Sequence, residues 1–351
     1  MEHEVFVCGR LCLVGEHSDW AGAFRASNPS IPPGKCVVVG TSEGLHATAR
    51  PLADPVLRIT CTSHLGAVVG PVDLPLVPAA LLHEAQSGGF LSYVAGTAYR
   101  LLTAHHIGGL ELVNHASTLP MSKGLSSSAA ICVMVARAFN RVYDLKLTVR
   151  GEMEMAYLGE ITTPSKCGRM DQACAFGSIP ILLTFDGDLL HVEPITLKAP
   201  LHLVLVDLKA AKDTTAILTS LQAAYPVPQN AQHEQLHQLL GPVNEHITSQ
   251  VLQALAAGDL DKLGWCLCEA QRQFDAKAQP LCPDQLTAPV LHSLLSDPRI
   301  SPLLYGAKGV GSQGDGAAQL LCRGAEAQAQ VCRIVEEELG MTAMPLTVSP
   351  T

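Results

Sequence analysis

The sequence predicts an α+β protein of two domains, on three observations. At 351 residues the chain is too long for one typical hydrophobic core. Its first half reads as short apolar runs of strand length with helical periods between them. Its second half opens on a buried strand, passes through a series of helices and closes on a strand, a helix and a last strand. The domains are placed at residues 1–195 and 196–351, with the break between about 190 and 200. Hydrophobic residues make up 48% of the chain and charged residues 16%, the composition of a packed protein and not of a disordered one.

The elements follow in order. Val5 to Val14, with Gly9 and Arg10 inside it, reads as a buried strand. Val37–Val39, Leu45–Ala49 and Val56–Thr60 read as successive short strands, Ser92–Leu102 as a helix and Leu110–Val113 as a strand. A polar loop from Pro120, containing glycine and serines, runs into a helix. Its apolar positions Ile131, Met134, Val135, Ala138, Phe139 and Val142 fall at helical spacing. Gly151–Glu160 is a second helix, and Pro164 and Gly168 mark the loop after it. Ile179–Phe185 and Leu201–Val206 are strands, with a tight turn at Asp186-Gly187-Asp188. Helices are expected to about Tyr225 and over His233–Leu240, Pro242–Ala257 and Leu260–Phe274. Tyr305–Gly316 is a second glycine-rich loop, followed by a strand at Ala317–Cys322, a helix to about Leu339 and a strand near Met344–Val348.

Bulk chemistry excludes several function classes. The net charge is −9 and no run of Lys or Arg offers the field that a nucleic-acid surface needs. The apolar runs break well short of a membrane span. The first residues, Met1 to Glu4, carry acids where a signal peptide would carry bases. There are 12 cysteines and no CxxC pair, so a structural zinc site is not expected. Cys8, Cys12, Cys132, Cys266, Cys268 and Cys322 lie in apolar or helical patterns and read as reduced thiols of a cytoplasmic protein.

Two stretches could carry chemistry. Ser126, Ser127 and Ser128 sit where the helix after Pro120 begins, at unpaired N–H groups and the positive end of the helix dipole. A short loop of small residues there can hold a phosphate. The same residues fit an ordinary Ser N-cap on a core helix, and alone they leave both readings open. Gly15-Glu16-His17-Ser18-Asp19-Trp20-Ala21-Gly22 follows a strand end. Its acids could accept from hydroxyls and its Trp could stack on a sugar face, or the segment could be a capped turn.

Four motifs in order now resemble one family, the GHMP small-molecule kinases. Gly9-Arg10-Leu11-Cys12-Leu13-Val14-Gly15-Glu16-His17-Ser18-Asp19-Trp20 resembles the galactokinase form of the first motif. Gly124-Leu125-Ser126-Ser127-Ser128-Ala129 matches the phosphate loop, Gly309 to Gly316 the third motif, and Cys167-Gly168-Arg169-Met170-Asp171-Gln172 a further one. The resemblance spans nearly the whole chain. It implies an N-terminal domain like ribosomal S5 domain 2, a ferredoxin-like C-terminal domain and an active site between them. It also implies ATP and Mg²⁺, and transfer of a phosphoryl group to a hydroxyl of a small molecule, a sugar or sugar derivative first.

The resemblance also assigns roles. Asp171 matches the catalytic Asp and Arg10 the Arg that faces it. A carboxylate can take the proton of an attacking hydroxyl, and a guanidinium can keep that carboxylate ionised and steady developing charge. Pro120, Lys123, Gly124, Leu125, Ser126, Ser127 and Ser128 would line the ATP phosphates, together with Gly309 and Gly311 of the third motif. Ser128 and Glu160 would hold the magnesium ion. Glu160 precedes Asp171 by eleven positions; its other reading is a solvated helix end, as a helix cap is for Asp171. Glu16, His17 and Asp19 would hold the acceptor's hydroxyls. Trp20 is left between a packing role on sugar or adenine and a plain core role. Lys209, Lys212 and Thr214 resemble a stretch that can line the site.

The chain departs from the family in three places. Ser122 stands where the loop usually has Gly, and Ser312, Gln313 and Asp315 interrupt a glycine cluster that is usually denser. Asp315 would repel phosphates unless it points away or touches the metal. Residues 23–36 differ from the galactokinase pattern, so the acceptor need not be galactose. Two rival readings follow. One is a kinase of another acceptor, such as a mevalonate-like alcohol or a heptose phosphate, with Arg25, Lys35, Lys166 and Arg169 as candidates for an acceptor phosphate. The other is a binding or sensor protein that has lost turnover. The acceptor and the oligomeric state are not readable from the sequence.

Overall fold

The computed structural model describes residues 2–63, 65–119, 125–165 and 167–350. In chain order the elements are β1 (His3–Val14), α1 (Ser18–Ala23), β2 (Gly34–Leu52), β3 (Val56–Thr62), β4 (Val68–Pro75), α2 (Pro78–Ser87), α3 (Ser92–Ala104), β5 (Gly109–Ser117), α4 (Ser127–Tyr143) and α5 (Val149–Glu160). There follow a 3₁₀ turn (Asp171–Phe176), β6 (Ile181–Asp186), β7 (Leu189–Pro194), β8 (Leu201–Asp207), α6 (Thr214–Gln222), α7 (Ala231–Gln238), α8 (Asn244–Ala257) and α9 (Leu260–Lys277). The chain ends with α10 (Pro283–Leu286), α11 (Pro289–Leu295), β9 (Leu304–Gly309), β10 (Ala317–Cys322), α12 (Ala325–Arg333) and β11 (Thr342–Val348). The architecture is α+β, and the strands form two sheets.

The chain divides into two units, Met1–Leu11 with Gly40–Ser178, and Cys12–Val39 with Ile179–Thr351. In the first unit β4, β3, β5 and the C-terminal part of β2 pair in that order. Leu57, Ile59, Leu110 and Leu112 point into its core, and so do Val133, Val135 and Phe139 of α4. Burial on alternate strand positions and on one helical stripe is the pattern that drives both kinds of element. The second unit contains an antiparallel sheet in the order β11-β8-β10-β9. Val204 and Val206 of β8, Leu320 of β10, Leu291 of α11, and Val331 and Val335 at the end of α12 share one apolar cluster there.

Three segments differ from the sequence expectation. Val37–Val39 and Leu45–Ala49 belong to one strand, β2, which pairs with β6 over 34–38 and with β5 over 45–52. Gly40 does not break it. A Cβ there would lie 2.0 Å from the Gly177 carbonyl oxygen, so glycine admits a close backbone approach inside the strand. The stretch from Tyr305 to Gly309, expected as loop, is the body of β9, paired in register with β10. The edge strand β4 and the helix α2 had no sequence expectation; β4 is mostly exposed and lacks the apolar alternation that marks a half-buried strand.

Helices α3 and α5 meet through glycines. A Cβ on Gly159 would come within 2.5 Å of the Thr97 Cα and 2.4 Å of its hydroxyl. This contact sets the position of the C-terminal turn of α5, where Glu160 sits. Gly159→Ala should therefore overpack the contact and destabilise the protein by about 2 kcal/mol. Urea unfolding with an unchanged m-value checks this, and a cost below about 0.5 kcal/mol would show that α3 and α5 can part freely.

Candidate functional site

In the first unit, β1 carries Arg10 into the interior, where it is 4% exposed. A guanidinium cannot be left buried without a partner, because desolvation of the charge is costly. Its Nη2 pairs with Oδ1 of Asp171 at the start of the 3₁₀ turn. The Arg10 amide donates to the carbonyl of Leu125 at 3.3 Å, which ties β1 to the residue before the α4 cap. Arg10 Nε and Nη1 are buried and have no hydrogen-bond partner among the described residues.

Ser126 precedes α4 in the left-handed conformation, φ 56°, which is costly for a residue with a side chain and is found where function over-determines the backbone. Its hydroxyl does not cap α4. It donates to Asp171 Oδ1 at 3.0 Å. By contrast, Thr148, Asp213, Asn230 and Asp259 accept backbone amides at the starts of α5, α6, α7 and α9. Ser127 and Ser128 form the first turn of α4. Both contacts to Asp171 fall on Oδ1, and its side chain is 29% exposed. Pro120, Lys123 and Gly124 lie outside the described residues, as does Ser122.

One turn along, the Ser128 hydroxyl donates to Glu160 Oε1 at 2.8 Å, and Gln172 Nε2 donates to Glu160 Oε2 at 2.7 Å. Glu160 is 1% exposed, so it is not a solvated helix end. Burial pushes its carboxyl above the usual range; the bonds from Ser128, Gln172 and Cys167 and the charge of Arg10 oppose that rise. Among the described residues no group of three or more His, Cys, Asp or Glu is placed to hold a metal. Ser128 and Glu160 supply one hydroxyl and one carboxylate side by side. These are hard oxygen donors of the kind Mg²⁺ takes when phosphates and water complete its shell, so the pair fits that ion.

The second unit holds the other motif residues. Glu16 forms a buried ion pair with Lys308, whose Nζ also donates to the Gly309 carbonyl at 2.7 Å. The two side chains help line a cavity of about 40 Å³ together with Asn244, Phe274 and Gln313. A larger hollow of about 370 Å³, lined by Cys268, Arg272 and Tyr305 among others, contains none of the motif residues with assigned roles. Gly309 closes β9, and its amide donates to Gln271 Oε1 at 2.7 Å. Gly311 and Gln313 take left-handed conformations in the turn that follows. Asp315 turns away from this loop and accepts the Leu291 amide at 2.8 Å, in the first turn of α11. Asp19 lies in the first turn of α1, partly buried.

His17 is 4% exposed and stacks on Phe274, with ring centroids 5.7 Å apart. The Trp20 indole N–H donates to His17 Nδ1 at 3.0 Å. That bond places the imidazole proton on Nε2, which is buried and makes no hydrogen bond of good geometry. Burial lowers the His17 pKa to about 4; Lys212 and Lys308 push the same way and the Ser312 backbone opposes them. Gln172, Gln271, Lys308 and the donor role of Trp20 carried no signal of their own in the sequence. Lys308 meets Glu16 across nearly the length of the chain, and no local pattern announces such a pair.

The His17 shift fixes a pH dependence of stability. The folded state holds a pKa of about 4 against an ordinary 6.5, so between those values the unfolded chain binds a proton that the folded chain refuses. The stability is whole above about pH 6.5 and falls as the pH drops, with about 3 kcal/mol lost from this group by pH 4. Urea unfolding of wild type and His17→Asn between pH 4 and 7 checks it. The wild-type curve should fall more steeply by that amount, and parallel curves would remove the assignment.

Known proteins resemble this chain in sequence and in fold. Residues 92–178 match the family model described as GHMP kinases N terminal domain. The chain is 28% identical over 310 residues to a galactokinase of Roseiflexus sp. (strain RS-1), covering 79% of this chain and 73% of the relative. Among solved structures it is similar to Lactococcus lactis galactokinase complexed with galactose, with a TM-score of 0.73, 18% identity and coverage of 99% of this chain and 94% of that one. It is also similar to L. major mevalonate kinase in complex with R-mevalonate, with a TM-score of 0.69, 20% identity and coverage of 99% and 96%. The structural likenesses show the shared fold, and residues 92–178 carry the N-terminal domain of the GHMP kinases, with galactokinases among the chain's relatives in sequence.

Proposed function

We propose that this kinase transfers the γ-phosphoryl group of ATP to a hydroxyl of a monosaccharide or sugar derivative. The observation that carries the reading is the contact of Arg10 and Ser126 with Asp171 beside the uncapped start of α4. Oδ1 of Asp171 is held by both partners, which fixes the carboxylate. Asp171 takes the proton of the acceptor hydroxyl as that oxygen attacks phosphorus. Arg10 keeps the base anionic, and its remaining buried N–H groups steady charge that develops at the transferred group. The start of α4, which no side chain caps, receives phosphate oxygens. Ser128 and Glu160 would hold Mg²⁺, which when bound neutralises charge on the phosphates. Glu16, His17 and Asp19 hold the acceptor, with Glu16 set by Lys308 and His17 by Trp20.

One observation removes the particular residues offered for an acceptor phosphate, and another weighs against the sensor. The basic residues offered for an acceptor phosphate are engaged elsewhere: Arg25 with Asp186, Lys35 with Glu245 and Arg169 with Glu154. Lys166 lies outside the described residues. The sensor reading rested on the altered third motif, and its one acid, Asp315, is spent on the first turn of α11.

A coupled ADP-release assay over hexoses, uronic acids, heptoses, polyols and mevalonate tests the function. Turnover is expected with sugars; turnover confined to mevalonate would sink the sugar reading. Asp171→Asn should lower kcat about a hundredfold to ten-thousandfold with ATP binding kept. Near-normal kcat in that variant would remove Asp171 as the base.

A further inference from the structure

The second unit carries a cation that its own carboxylates leave unneutralised. The Lys212 stem lies against Gly316, where a Cβ would come within 2.6 Å of its Cε and 2.8 Å of its Nζ. Its ammonium donates to the Gln313 carbonyl at 3.3 Å. None of the ion pairs among the described residues includes it. The acids nearest in sequence are turned elsewhere. Asp213 caps α6 through the Ala216 amide at 2.9 Å, and Asp315 accepts the Leu291 amide. Glu16, the remaining carboxylate that acts on Lys212, is already paired with Lys308. Burial accordingly pulls the Lys212 pKa down to about 8, with Glu16 resisting.

Other donors gather at the same loop residues. The buried Nε2–H of His17 faces the Ser312 backbone, which takes it in a hydrogen bond of poor geometry. The hydroxyls of Thr214 and Ser312 meet at 3.2 Å. An ammonium, an imidazole N–H and two hydroxyls around Ser312 and Gln313 are matched by a group that only accepts hydrogen bonds and carries negative charge. A neutral hydroxyl would leave the ammonium uncompensated.

We infer that Lys212, His17 Nε2, Thr214 and Ser312 form an anion pocket for a carboxylate or phosphate borne by the acceptor, so that the preferred substrate is an acidic sugar. The inference rests on the sugar-kinase reading. Trp20 is a positioning residue in it, since its indole N–H keeps the proton on the outward ring nitrogen of His17.

The test compares a hexuronic acid, a hexose phosphate and the parent neutral hexose in the ADP-release assay, with wild type and Lys212→Met. An acidic sugar should exceed the neutral one in kcat/KM by about ten- to a hundredfold, and Lys212→Met should remove most of that margin while the KM for ATP stays unchanged. Whichever acid shows the margin identifies carboxylate or phosphate as the bound group. Equal or better turnover of the neutral hexose overturns the pocket and leaves the sugar kinase standing. A rise in the KM for ATP in Lys212→Met assigns the ammonium to the nucleotide and also overturns it. No ADP release with any sugar removes both readings. Urea unfolding of Lys212→Met should match wild type, since the change removes a poorly solvated charge. The ¹⁵N shifts of the His17 ring should report the Nε2–H tautomer in wild type and lose it in Trp20→Phe.

Discussion

The buried guanidinium of Arg10 is the constraint on which the first unit's site depends. A charge held at 4% exposure has to be paired, and the partner available is Asp171, distant in sequence and brought in by the 3₁₀ turn after α5. That one pair fixes the Asp171 carboxylate. It also fixes Ser126, because the same carboxylate oxygen takes the Ser126 hydroxyl and withdraws it from the cap of α4. The lack of a side-chain cap on α4 is thus a consequence of the ion pair and not an independent feature. The strained φ of Ser126 belongs to the same arrangement.

Glu160 shows the same economy of parts. Its carboxyl is almost wholly buried, and none of the ion pairs among the described residues includes it. Ser128 and Gln172 satisfy its oxygens, and burial still raises its pKa. A divalent cation between Ser128 and Glu160 would replace that unfavourable desolvation with a direct charge partner. The α3–α5 glycine contact fixes the turn that carries Glu160, so a residue outside the pair governs how Glu160 meets Ser128.

Much of this was legible in the sequence where the signal is local. The periods that gave α3, α4, α5 and β8 are direct consequences of one-sided burial, and the helix starts lie close to where small polar residues put them. What was not legible is long-range or compensatory. Gly40 and Gly44 look like breaks, yet β2 runs through them because a neighbouring backbone needs the space of a Cβ. Lys308 lies in a stretch expected as loop and is a buried partner of Glu16 on β9. Asp315 reads as an obstacle to phosphate and is a helix-start acceptor. Trp20 left sugar, adenine and core roles open, and the structure shows it bonded to His17.

The altered third motif follows from the same accounting of polar groups. Gln313 sits in a left-handed conformation that glycine would take at less cost. Its side chain is buried, its Nε2 lies 3.3 Å from the Gly309 carbonyl, and its Oε1 occupies the space that a Cβ on Gly309 would need. Gln313 therefore fills locally the volume that a glycine there would leave open, and it makes Gly309 obligatory in turn. Lys308 and Gln271 fasten the same Gly309 from its carbonyl and its amide. A loop with fewer glycines can be held rigid in this way because side-chain amides and one ammonium replace the backbone freedom that has been lost. The replacement also explains why Lys212, packed against Gly316 at the far end of the loop, is in none of the ion pairs among the described residues: the groups that could have neutralised it are already committed to holding the loop and the helices around it.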